Sequence, residues 1–131
     1  MNALMAYQNV NRQTSVVDAD PHRLIQLLFD GALERINMAK VQIQMRNFEG
    51  KNRLISKAME IVGGLRSFLD LERGGSIASS LNELYQYIER RLLDANISNN
   101  IEILDEVAGL IREIKTGWDG IRPEVLEKKL V

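Results

Sequence analysis

The chain has 131 residues, is 45% hydrophobic and 27% charged, carries a net charge of −1, and contains no cysteine and only two prolines. That length fits one domain of the usual ~100–150 residues, with enough apolar content to build a core. Disulfides and thiolate metal sites are excluded, and the near-zero charge supplies no basic field of the kind a dedicated nucleic-acid binder needs.

The opening "MNALMAYQNVNRQ" lacks a basic stretch followed by an apolar core, so no secretory signal is expected there. Ala3 to Tyr7 form a short apolar cluster ahead of a polar run, a pattern that fits either a free tail or a segment docked on the rest. The densest apolar run, "LIQLLF" at 24–29, falls far short of the ~20 residues of a membrane span. A soluble, intracellular chain with no membrane insertion is expected.

The first long helix should begin at Asp20-Pro21, where aspartate can cap the first turn and proline needs no amide partner. Leu24, Ile25, Leu28, Ala32, Ile36, Ala39 and Ile43 form its main stripe, and Leu27, Phe29, Leu33, Met38 and Met45 widen the apolar surface beyond it. "NFEGK" at 47–51 reads as the first turn. The second helix then aligns Leu54, Ile55, Ala58, Ile61, Val62, Leu65, Phe68 and Leu69. Gly63-Gly64 inside it marks a close approach by another chain, a soft spot, or a tolerated surface pair.

Gly74-Gly75 is expected to end the second helix and Ser76 to cap the third, with "ISNN" at 97–100 as the next turn. Leu81, Leu84, Tyr85, Ile88, Leu92 and Ala95 give the third helix its stripe. Leu104, Val107, Ile111, Ile114, Trp118 and Ile121 do the same for the fourth. "PEVLEKKLV" from Pro123 reads as a short terminal helix. Helices this long joined by turns this short must run antiparallel to their neighbours. The expected fold is all-α: an up-down four-helix bundle over 20–121, flanked by residues 1–19 and by a short helix at 122–131, in a single domain.

Catalytic chemistry finds no foothold. A di-iron bundle needs Glu-x-x-His pairs, and the one histidine, His22, follows Ala19 at that spacing. His22 could nominally serve phosphotransfer, but beside Pro21 a solvated polar residue is expected anyway. The glycine pairs do not belong to a phosphate loop. No enzyme, metal or cofactor is expected. Arg90-Arg91 reads as a solvated face or a contact for an acidic partner.

What remains is apolar surface in excess of one core. Around "LYQYIERRLLDAN", Leu84 to Asn96, Tyr87 and Leu93 fall off the stripe on opposite flanks, and the first helix is apolar over well more than the ~100° a bundle helix buries. Such surface marks a partner site, and a groove between helices suits an amphipathic helix. The residues expected to meet a partner are Tyr7, Leu24, Leu27, Leu28, Phe29, Leu33, Tyr85, Tyr87 and Leu93. Phe29, Leu33, Tyr87 and Leu93 count among them because they lie off the main core stripes.

Several stretches together resemble the FliS flagellar export chaperones: "AYQ" with Tyr7, "ADPHRLIQLLFDGAL" at 19–33, "GGSIASSLNELYQYIERRLLDANISNN" at 74–100, and "ILDEVAGLIREIKTGWDGI" at 103–121. The resemblance spans nearly the whole chain. Asp20 stands where that family often has serine, which keeps the cap, and Phe29 where tyrosine is common, which removes a hydroxyl. The resemblance implies a cytoplasmic, non-enzymatic chaperone that binds the disordered C-terminal segment of flagellin, prevents premature polymerisation and assists export. An export-gate component and a regulatory or co-chaperone protein are the further partners it allows, and it implicates the N-terminal segment in client contact and in covering the groove. The rival reading is a signalling or phosphotransfer-type bundle that binds a folded partner.

Overall fold

The computed structural model describes residues 20–121, which form four helices: α1 (Pro21–Gln44), α2 (Phe48–Ser67), α3 (Leu71–Ser98) and α4 (Ile101–Asp119). No described residue is in a strand. The expectations for residues 1–19, Tyr7 included, and for the terminal helix at 122–131 lie outside the described residues. α1 packs against α2 and α4, and α3 packs against the same two, so α1 and α3 stand diagonally opposite. This is the expected antiparallel helical bundle.

Each helix starts where a side chain can accept an orphan amide. Asp20 accepts from the Arg23 amide at 2.7 Å, with Pro21 at the first helical position as expected. Asn47 accepts from Gly50, Asp70 from Arg73 and Asn100 from Glu102. The turns, however, are displaced from their expected places. α1 closes at Met45, and Arg46 takes the left-handed conformation at φ 59°. Its amide donates to the Ile43 carbonyl and that of Asn47 to the Gln42 carbonyl, a Schellman closure. "NFEGK" is therefore mostly the first turn of α2 rather than a loop, because Asn47 caps it.

The second correction is larger. α2 ends at Ser67, not at Gly74-Gly75, and Asp70 caps a new helix that begins at Leu71. Gly75, at φ 56° and ψ −135°, then breaks that helix after one turn; the conformation suits glycine, which has no Cβ. At the other end α3 runs through Ile97 and Ser98, and only Asn99, left-handed at φ 54°, and the Asn100 cap form the turn. Inside α2, Gly63 faces α3: a Cβ there would lie 3.4 Å from Glu89 Oε1.

The core contains Leu28, Phe29, Ile36, Ile55, Ile88, Leu92, Leu104 and Ile111, all essentially inaccessible to solvent. Each such side chain contributes roughly 1.5–3 kcal/mol by leaving water. Polar pairs lace the seams around it. Between α1 and α4, Gln26 donates to Asp119 at 2.7 Å, Lys115 pairs with Asp30 at 3.2 Å, and Lys40 with Asp105 at 2.7 Å. Between α2 and α3, Arg66 meets Glu89 at 2.8 Å, and the buried Lys51 ammonium donates to the Asn96 carbonyl at 2.7 Å. Burial lowers the Lys51 pKa.

Candidate functional site

The α3–α4 seam is closed along one half and open along the other. In the half nearest the Asn99 turn, Glu106 of α4 accepts from Tyr87 Oη at 2.6 Å and from Arg91 Nε at 3.0 Å, and Arg91 also reaches Asp94 at 3.1 Å. The hydrogen bond from Tyr87 and then that from Arg91 hold the Glu106 carboxyl below its ordinary pKa. The same bond raises the Tyr87 phenol.

Toward Gly75 no such pair spans the seam among the described residues, and the two helices leave an apolar groove. One cavity of about 250 Å³ lies between Ile77 and Leu81 of α3 and Ile114, Gly117 and Trp118 of α4, with Glu113 and Ile121 at its edge. A second, of about 350 Å³, continues along α3 past Ser76, Ser80 and Leu84 and shares Ile77 and Leu81 with the first. Ile77 is 63% exposed, although its spacing from Leu81 and Leu84 puts it on the apolar stripe. The Gly75 break positions this face, because it redirects α3 at the residue just before Ser76.

The far wall is anchored by Trp118. Its indole Nε1 donates to the His22 carbonyl at 3.0 Å, and His22 Nε2 donates to the Trp118 carbonyl at 2.8 Å. A carbonyl can only accept, so Nε2 carries the proton. The rings stack 5.4 Å apart at 11°. His22 is thus 8% exposed rather than solvated, which corrects its expected placement and removes the accessible imidazole that phosphotransfer would need. A helix start is solvated only if nothing packs there, and here Trp118 covers it.

The residues expected to meet a partner separate into two groups. Leu28 and Phe29 are fully buried, and Leu27 and Tyr85 nearly so, with the Tyr85 phenol raised by burial. The expectation that Phe29 lies off the core is corrected: Ile25, Phe29, Ala32, Ile36 and Ala39 recur at steps of four and three, so Phe29 lies on the stripe itself. α1 is also flanked by both α2 and α4, which covers a wider arc than one stripe. Leu24 and Leu33 are partly buried against the core, Tyr87 is half-buried, and Leu93 is 47% exposed. These four do not gather in one place, since α1 and α3 are diagonal. Met38, Val41 and Met45 form a separate exposed stripe on α1, and Ile97, at 75% exposed, continues from Leu93 on α3.

The groove residues escaped the expected site because Leu81, Leu84, Ile114 and Ile121 continue the core stripes. Ile77 and Gly117 were not singled out. The available signal was Gly74-Gly75: a helix break beside a stripe leaves the stripe without a partner at that end.

Among the described residues no helix is long and apolar enough to cross a membrane. Residues 2–125 match the family model described as flagellar protein FliS. The chain is 50% identical over 121 residues to the flagellar secretion chaperone FliSB of Pseudomonas aeruginosa, covering 92% of this chain and 96% of that one. It is 40% identical to the flagellar secretion chaperone FliS of Salmonella typhimurium (94% and 92% covered) and 39% to that of Vibrio cholerae (93% and 90%). A helical bundle with an apolar groove and a family match across almost its entire length together show that this chain belongs to the FliS family.

Proposed function

We propose that the protein is a cytoplasmic, non-enzymatic flagellar secretion chaperone that binds the disordered C-terminal segment of flagellin, keeps it from polymerising prematurely and assists its export. The observation that carries this reading is the open α3/α4 groove: apolar, continuous over two cavities, and lined by residues that could have been buried by a tighter seam. The relatives named as flagellar secretion chaperones supply the client class.

Binding couples to folding. The segment orders as an amphipathic helix and lays apolar side chains in the groove. Each Leu-sized anchor contributes roughly 1.5–3 kcal/mol, and ordering the segment costs about 2–5 kcal/mol or more. Five or six anchors supply roughly 8–18 kcal/mol gross, and the upper part of that range reaches nanomolar to micromolar affinity after ordering and the other costs of association. The partly exposed Leu24, Leu33, Tyr87 and Leu93 serve a client that extends around the bundle beyond the groove.

A photoreactive side chain at position 77, in the groove, and another at position 41, on the outer face of α1, test the placement. Flagellin should crosslink through its C-terminal segment at position 77 and not at 41. Equal or reversed crosslinking would place the client elsewhere.

A further inference from the structure

Gly117 interrupts the apolar wall that α4 offers to the groove. Ile114, Gly117 and Ile121 are spaced three and four apart, so a gap stands between two isoleucines on one side of α4. A Cβ built on Gly117 would meet nothing within 4 Å, and the residue has no positive φ. The bundle therefore has no steric or conformational need for glycine there, and glycine is the poorest helix former after proline. What the residue provides is room, above Trp118 and opposite Leu81, for a side chain from outside. The groove also has an acidic edge: Glu113 lines it on α4. That carboxylate has no ion-pair or hydrogen-bond partner among the described residues.

We propose that Gly117 forms a hole for one large apolar side chain of the client helix, and that Glu113 selects a helix with a basic residue beside its apolar stripe. The inference rests on the reading of the groove as the client site. Packing of a knob into a hole between ridges fixes the register of the incoming helix, and the unpaired Glu113 carboxylate at its edge favours a basic residue beside the knob.

Calorimetric titration of purified flagellin from the same bacterium into the full-length protein tests this. Gly109 is the control, since it lies in the same helix with equally open surroundings and lines neither cavity. Gly117→Leu should weaken binding at least about tenfold while helicity and melting stay at or above wild-type, and Gly109→Leu should bind as wild-type. The Glu113→Lys variant should bind more weakly at low salt and lose most of the difference at high salt. Wild-type affinity in Gly117→Leu overturns the hole, and wild-type affinity in the lysine variant at low salt overturns the charge selection. Ile77→Glu separates the levels. If it weakens binding while Gly117→Leu does not, the groove reading stands and the hole falls. If neither weakens binding, or if flagellin does not bind the wild-type protein, the groove reading falls as well.

Discussion

His22 and Trp118, 96 residues apart in sequence, hold each other by two hydrogen bonds, each donating a ring N–H to the other's backbone carbonyl. The pair ties the start of α1 to the end of α4 and fixes the indole that floors the groove. Trp118→Ala should cost about 3–5 kcal/mol in a chemical or thermal melt, because it removes a buried ring and the indole half of the clasp, leaving only the backbone carbonyl to which His22 donates. His22→Ala should cost about 0.5–1.5 kcal/mol by removing one hydrogen bond, since the Trp118 carbonyl still accepts from the Ile121 amide at 3.1 Å. A melt unchanged by His22→Ala would mean that the clasp does not stabilise the bundle.

Phe29→Ala should be as costly as the tryptophan change, about 3–5 kcal/mol, since Phe29 is fully enclosed. Leu93→Ala, at an exposed position, should leave the melting temperature nearly unchanged. Comparison of the two melts checks the core register of α1 against the outward face of α3.

Much of this fold was legible in the sequence. Asp20-Pro21, Asn100 and the three-four stripes give the start of α1, the start of α4 and the core faces, because capping and periodicity are local. The Asp70 cap and the Gly75 break were misplaced because two signals compete within six residues, and only packing decides which one ends a helix. The groove was not legible. Leu81 and Ile114 read as core, and whether a stripe is covered depends on how far two helices splay, a relation between distant segments that no local pattern carries.

Gly75→Ala should destabilise the protein by about 1–3 kcal/mol, the usual cost of holding a side-chain-bearing residue in a sparsely populated backbone region. No neighbouring atom lies within 4 Å of the added methyl, so the cost comes from the backbone alone. The variant's melting curve checks it, and unchanged stability would show that the turn relaxes into another conformation without loss.

The closed half of the α3–α4 seam should weaken in acid. Hydrogen bonds from Tyr87 and Arg91 depress the Glu106 pKa, so the folded value lies below the unfolded one of about 4.3. Their stabilisation is then complete above the unfolded value and is lost as the pH falls through the folded one. Carboxyl titration by NMR should show Glu106 below the ordinary range in wild-type and moved upward in Tyr87→Phe, since the tyrosine bond is the largest cause. An unmoved titration in that variant would assign the depression to Arg91 instead.

The central claim, that this chaperone holds the C-terminal segment of flagellin, is tested most directly by calorimetric binding of flagellin with and without its last ~40 residues, about two helices' worth of chain at 1.5 Å per residue. Intact flagellin should bind saturably in the nanomolar to micromolar range, with a negative heat-capacity change from buried apolar surface, and the truncated protein should give no measurable binding. Equal affinity for the two forms would contradict the account.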